Sequence, residues 1–348
     1  MLDWLRLIRA SGLFTIASNL AAAIVVATYA HGSLDPKLIA GLLFQGNGLQ
    51  VAWVSLASCL LFATGMLWND LADVERDREL HPRRPLPSGR VSLIAAYVVG
   101  AGLAISALLV AVASDAAQGL YVQGIPPYGF YTAGIVLSLA LLYNFLTKHV
   151  PWVGSLTMGL VRAVHAVFAL LMLGADHFRL GAMALLGLLG VDAAAGVPAG
   201  PAIYPLLLGL YVVGVTLTSE LESRTGRRWE LVLGGVLMSA AMLGGAARLI
   251  TAHWIGSLQA TGNYLALVGG LFLGFAIIAL WGWRVLWPWI AALRTGRKGM
   301  VGPLVGAALG GMILFDALLA TTAHPGAGLV ILVLYPCFRL AGRAIRMD

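Results

Sequence analysis

Asn69, Asp70, Asp73 and Asp77 fall within nine residues of LWNDLADVERDRELHPRRPLPSGR, residues 67 to 90. Residues three or four apart share one face of a helix. A helix running through this segment therefore sets all four oxygen-bearing side chains on one side. Like charges at that spacing repel, so something must balance them. A divalent cation is one candidate. Mg²⁺ takes oxygen ligands and typically binds one or two carboxylates together with substrate phosphates. Neutralisation by Arg76 and Arg78, in a loop that simply faces water, is the other. The segment that follows, HPRRPLPSGR, joins three prolines to three arginines. Proline fixes the backbone and stops a helix, while the arginine fork suits phosphate. Arg83 and Arg84 thus form a stiff basic strap beside the acidic ridge. A ligand with a charged head and an apolar tail suits such a place.

The elements that must carry this cluster are membrane helices. The 348-residue chain is 60% hydrophobic and 11% charged, where soluble domains are about a quarter charged. Apolar runs of about 20 residues span a bilayer. Candidate spans lie near 11–30, 50–68, 92–113, 130–147, 152–174, 202–219, 231–250, 264–284, 303–321 and 326–340. The last is short, which gives nine or ten spans in a single all-α domain, residues 1–348. The first run, with Arg6 and Arg9 ahead of it and Asn19 inside it, reads as a retained helix rather than a cleaved signal. Residues 175–201 are ambiguous. Most of the 22 basic residues fall at the helix ends on the side of the acidic segment, which should be cytoplasmic. The net charge of +7 reflects these loops; with no aromatic-and-basic recognition stretch, nucleic acid is not an expected partner. The 43 glycines read as helix-packing positions. Cys59 and Cys337 suggest no disulfide framework, and the histidines show no zinc-ligand spacing.

NDLADVERD resembles the NDxxDxxxD signature of the UbiA family of intramembrane prenyltransferases, and RRPLPSGRVS resembles the stretch that follows it there. LYNFLTKHVPWVGSLTMGLVRAVHAVFA, residues 142 to 169, is similar to the family's tyrosine–acid–lysine loop and MG-x-x-R helix. LIRASGLFTIASNL resembles its first helix. The resemblance implies a helical bundle around a central cavity. Its activity would be transfer of a prenyl chain from a prenyl diphosphate to an aromatic or other lipophilic acceptor, with Mg²⁺ as cofactor. Carried over, it makes Asn69, Asp70, Asp73 and Asp77 the magnesium-and-diphosphate cluster. Lys148 becomes a phosphate partner in catalysis. Asn19, Arg83, Arg84, Tyr143, Asn144, Arg162 and His165 become substrate-binding positions. Arg162, a charge inside a span, is a functional candidate in its own right.

The family's second acidic motif carries aspartates four residues apart. Here the step of four through GLYVVGVTLTSELESRTGRR reaches Thr218, Glu222 and Gly226. Glu222 becomes the second-motif ligand for metal and substrate, and Glu220 lies on another face. Asn144 replaces the usual aspartate, and His165 stands where relatives often have asparagine. These departures resemble the EboC-like branch, found in small bacterial metabolic gene clusters. They also motivate an alternative: a carrier or assembly partner that keeps the cavity without turnover. Asp316, inside a span, is expected to pair with Arg162 or Lys148, or to reach an interface. Trp281, Trp283, Trp287 and Trp289 are expected in an interfacial belt, and membrane lipids are the surrounding solvent.

Overall fold

A computed structural model describes residues 2–28, 48–117, 127–173, 200–223, 228–259, 264–295 and 298–344. Lipid offers no partner for backbone polar groups, so apolar runs close their own hydrogen bonds as helices. In chain order these are α1 (Leu2–Leu7), α2 (Leu13–Thr28), α3 (Gly48–Ala72), α4 (Val74–Leu80), α5 (Leu93–Ala117), α6 (Tyr128–Leu142), α7 (Val153–Met172) and α8 (Gly200–Ser223). Then come α9 (Arg228–Gln259), α10 (Tyr264–Trp281), α11 (Trp287–Thr295), α12 (Val301–Thr321), α13 (Pro325–Leu332) and α14 (Leu334–Ala344). Among the described residues nine helices are long and apolar enough to cross a membrane, and Ala10–Val26 is a shorter apolar helix. The chain is a multi-pass integral membrane protein. The ambiguous stretch 175–201 lies almost wholly outside the described residues.

The most buried span is α12, whose residues from Gly310 to Thr321 are all enclosed. It packs on α2, α8, α9 and α10. At the rim, α5 turns Ile94, Val98, Ile105 and Leu109 outward, as a lipid-facing helix should. Glycines set the closest helix crossings. A methyl added to Gly159 of α7 would lie 2.8 Å from the Gly209 carbonyl oxygen of α8, and one on Gly209 would lie 3.0 Å from the Gly159 oxygen. Gly214 of α8 and Gly234 of α9 face each other in the same reciprocal way. Small residues at such crossings let backbones approach, and two of them clamp α8 between its neighbours.

The tryptophan expectation divides. Trp283 and Trp287 point outward, whereas Trp281 is buried and donates to the Tyr211 hydroxyl at 3.0 Å, and Trp289 donates to the Leu231 carbonyl at 2.9 Å. The indole N–H of a buried tryptophan needs an acceptor, and these two have one inside the bundle. Cys59 and Cys337 are free thiols.

Candidate active site at the mouth of the bundle

The acidic ridge forms as its spacing suggested, with one interruption. α3 stops at Ala72 and α4 begins at Val74, yet the Asp73 amide still donates to the Asn69 carbonyl at 3.1 Å and the Asp77 amide to the Asp73 carbonyl at 2.8 Å. The helical path is thus nearly continuous, and Asp70, Asp73 and Asp77 stay on one side. Asp70 and Asp77 are buried, while Glu75, Arg76, Arg78 and Glu79 on the opposite side are exposed. Arg78 pairs with Glu75 at 2.7 Å, so it does not balance the ridge.

Three cations from three other places do. The Arg84 guanidinium sits 2.6 Å from Asp77, Lys148 Nζ sits 2.7 Å from Asp73, and the Arg9 guanidinium reaches Asp70 at 3.5 Å. Arg84 arrives because the proline strap folds tightly after α4. Its amide bonds back to the His81 carbonyl at 3.0 Å, the Ser88 amide to the Arg84 carbonyl at 3.0 Å, and Pro85 and Leu86 are buried beneath. Arg83, beside it, is exposed. Its carbonyl accepts from Arg90 at 2.6 Å, so it shapes the strap rather than touching the carboxylates.

Lys148 arrives through a local distortion. After α6 the backbone makes a π-helical turn over Tyr143–Thr147, a feature common at functional sites. That extra residue per turn brings Tyr143 and Asn144 onto the cavity wall, and the Asn144 amide donates to the Gly65 carbonyl of α3 at 3.0 Å. Five residues past the turn, directly before α7, Trp152 takes φ 71°, unusual for a side chain of that size, and stacks on Trp229 with ring centroids 4.6 Å apart. Burial pushes the Lys148 ammonium below the ordinary lysine value, and the ion pair with Asp73 pulls it back up.

Arg9 is a site residue the motifs did not point to. It lies at a break between α1 and α2, with φ 48°, and its partner is 61 residues away. Glu220 is another. The four-residue step passes over it, yet it accepts from Ser155 of α7 at 2.5 Å. Together with Arg9 and Asp73 it lies within electrostatic range of the Tyr143 hydroxyl. The side chain of Glu222 lies outside the described residues.

Beneath the cluster, α2, α3, α6 and α7 line a partly open cavity of about 60 Å³. Its wall is mostly apolar, with Ile16, Leu61, Phe62 and Met158 among its residues, and Arg162 and His165 of α7 join Tyr143 and Asn144 as its polar positions. Asn19 is not on that wall: its amide donates to Asp316 at 2.7 Å. Asp316 also accepts from Ser18 at 2.6 Å and Tyr204 at 3.1 Å. This replaces the expected ion pair, for Asp316 bridges to neither Arg162 nor Lys148 and is fully enclosed. Three donors can satisfy a buried carboxylate without a salt bridge.

The carboxylates supply hard oxygen ligands of the kind Mg²⁺ prefers. Among the described residues no three His, Cys, Asp or Glu side chains converge on one point. That fits an ion held by one or two carboxylates and completed by phosphate oxygens, not one caged by protein alone.

Fold and site together define a multi-pass helical membrane protein with a charge-balanced acidic ridge above an apolar intramembrane cavity. The chain belongs to the UbiA prenyltransferase family, which it matches over residues 19–258. It is 32% identical to the polyprenyl transferase ausN of Emericella nidulans over 148 residues, 41% of this chain and 38% of that protein. It is 36% identical to the digeranylgeranylglyceryl phosphate synthase of Metallosphaera sedula over 108 residues, 27% of this chain and 38% of that protein. The chain thus spans 38% of the length of each of these relatives. A solved structure concerning digeranylgeranylglyceryl phosphate synthase in membranes aligns with 92% of this chain and 96% of its own, at TM-score 0.52 and 18% identity. That likeness is one of fold.

Proposed function

We propose that this protein is an intramembrane prenyltransferase that moves a prenyl group from a prenyl diphosphate to an aromatic or other lipophilic acceptor, with Mg²⁺ at the acidic ridge. The observation that carries this reading is the matched set of Asp70, Asp73 and Asp77 with Arg9, Lys148 and Arg84, placed at the mouth of an apolar cavity. A diphosphate bound there finds cations already in position, and its tail finds a dry channel below.

One or two of Asp70, Asp73 and Asp77 would hold the metal, with Asn69 beside them and Glu220 contributed from α8 at the same mouth, and phosphate oxygens would complete the ligand set. When bound, the ion draws negative charge onto the leaving diphosphate, as Lewis-acid assistance does. Lys148 and Arg84 would turn from carboxylate to phosphate oxygens, where their charge counts most as the C–O bond breaks. The electron pair stays with diphosphate, the allylic carbon bonds to the acceptor, and the acceptor gives up a proton. Phe62, Leu61 and Met158 exclude water that would otherwise trap the cation. Placement of this face on the cytoplasmic side of a bacterial cell membrane is part of the same reading.

Purified protein in detergent, supplied with geranylgeranyl diphosphate, Mg²⁺ and a panel of phenolic acceptors, tests it. Diphosphate release that is lost in Asp70→Ala and Asp73→Ala supports the enzyme. Tight binding of geranylgeranyl diphosphate with no release under any acceptor would instead identify a carrier without turnover.

A further inference from the structure

Asp316 is a charged group inside the bundle that the diphosphate site does not use. Among the described residues, Asp70, Asp115, Glu220 and Glu230 stand at the ends of their spans, and Asp316 is the one carboxylate set within a span. It also lies beyond residues 19–258, over which the chain matches its family. It is fully enclosed. The Ser18 hydroxyl and the Asn19 amide, both from α2, donate to it at 2.6 and 2.7 Å, and the Tyr204 hydroxyl of α8 donates at 3.1 Å. Three donors suit an ionised carboxylate, which only accepts.

The nearest layer toward the cavity is α2, which packs on both α7 and α12. Ile16 of α2 lies on the cavity wall with Arg162 of α7, while Ser18 and Asn19 of the same helix turn to Asp316. Arg162 makes no ion pair among the described residues, and its guanidinium carbon lies 5.4 Å from the centroid of the Phe62 ring. Arg162 and Asp316 therefore face each other across one helix, within electrostatic range and without contact. A charge inside a span marks function, and its partner is the place to look for the reason.

Prenyl transfer builds positive charge on the allylic carbon as the C–O bond opens. At 1.5 Å per residue, Arg162 lies about 10 Å along α7 from Ser155 at the mouth. An uncancelled guanidinium at that range, in a space of low dielectric, opposes the developing cation. A fixed anion beside it removes most of that opposition. We propose that Asp316 is the counter-charge of Arg162, and that it keeps the cavity close to electrically neutral so that the allylic cation forms at its mouth. Asp316 touches no reacting atom; it acts through Arg162, as a positioning residue held in place by Ser18, Asn19 and Tyr204. The assignment rests on the prenyl-transfer reading and adds to it a remote electrostatic residue on α12.

The test follows C–O cleavage by full-length protein in nanodiscs, with geranylgeranyl diphosphate and Mg²⁺. Scrambling of a bridging ¹⁸O label into the neighbouring diphosphate oxygens reads ionisation and return with no acceptor present. Diphosphate release at saturating phenolic acceptor reads the same cleavage in turnover, and carries the comparison if wild-type scrambling is too slow to follow. Asp316→Asn should slow cleavage about 10- to 20-fold, the weight of one uncancelled unit charge about 10 Å away at an effective dielectric of about 20, with KM for the donor unchanged. Asp316→Glu keeps the charge and should retain most of the rate. Adding Arg162→Gln to Asp316→Asn removes the second charge and should recover most of the cleavage, which a merely structural Asp316 would not allow. Binding of geranylgeranyl diphosphate certifies that each variant is folded. If Asp316→Asn does not bind it, Arg162→Gln alone decides: cleavage at least as fast as in the wild type supports the counter-charge, and slower cleavage overturns it. Unchanged cleavage in Asp316→Asn, or a loss that Arg162→Gln leaves in place, also overturns the proposal. A wild type that neither scrambles the label nor releases diphosphate overturns the prenyl-transfer reading instead.

Discussion

Each aspartate of the ridge is answered by a cation from a different part of the chain, and the three pairs differ in strength. Lys148 and Asp73 are both largely shielded, with side chains 8% and 17% exposed. The Arg9–Asp70 contact is long and its arginine is 42% exposed, so it contributes little by itself. Asp73→Ala should therefore cost prenyl transfer about 100-fold or more, in the range seen when one preorganised electrostatic group is lost. Arg9→Ala should cost less, and mainly in diphosphate affinity. Steady-state kinetics on the two single variants and on Asp73→Ala/Lys148→Met decides it: the double variant should be scarcely worse than Asp73→Ala, because groups that act as a unit are not additive. The local spacing of Asp70, Asp73 and Asp77 made the ridge legible in the sequence. Arg9 was not legible, since a break between helices carries no periodic signal. Nor was Glu220, because its direction is set by Ser155 on a neighbouring helix and not by the four-residue step along its own.

At the scale of elements, the site depends on how α7 and α8 cross. Ser155 and Glu220 meet near the mouth, and the Gly159–Gly209 approach lies just below them. Gly159→Val would press a branched side chain against the Gly209 carbonyl. Overpacking of this kind costs about 1–3 kcal/mol, and it would also lever Glu220 away from Ser155. Thermal unfolding in detergent should show a lowered midpoint, and the apparent Mg²⁺ requirement should rise even with saturating diphosphate. An unchanged midpoint would mean that the two helices have slack at this crossing. Gly→Ala at Gly102 or Gly134, where an added methyl meets nothing within 4 Å, provides the matched control and should be silent. The sequence could say that glycines pack helices. It could not say which two face each other, because that pairing belongs to the assembled bundle.

For the whole molecule, the apolar runs located most of the helices within about five residues, since hydropathy and span length are local properties, though α9 runs on to Gln259 and the next span to Thr295, well past the ends expected at 250 and 284. Interior partners were a different matter. Asp316 is 298 residues from Ser18 and 297 from Asn19, and no pattern along the chain announces that meeting. Orientation again follows from a simple sum. Arg83, Arg90, Arg228, Arg294 and Arg343 all lie at the ends of helices on the side of the acidic ridge, whereas Arg248 lies toward the opposite end of α9. Cytoplasmic loops carry such an excess of basic residues, so the ridge should face the cytoplasm and draw its diphosphate from there. The exposed positions Arg83, in the proline strap, and His324, at the turn between α12 and α13, lie at opposite ends of the bundle. With Cys59 and Cys337 replaced by alanine, Arg83→Cys should react with a membrane-impermeant maleimide only in inside-out vesicles, and His324→Cys only in right-side-out ones. The reverse pattern would put the carboxylates on the outer face, away from any cytoplasmic supply of prenyl diphosphate, and the enzymatic reading would lose its substrate even with the ridge intact.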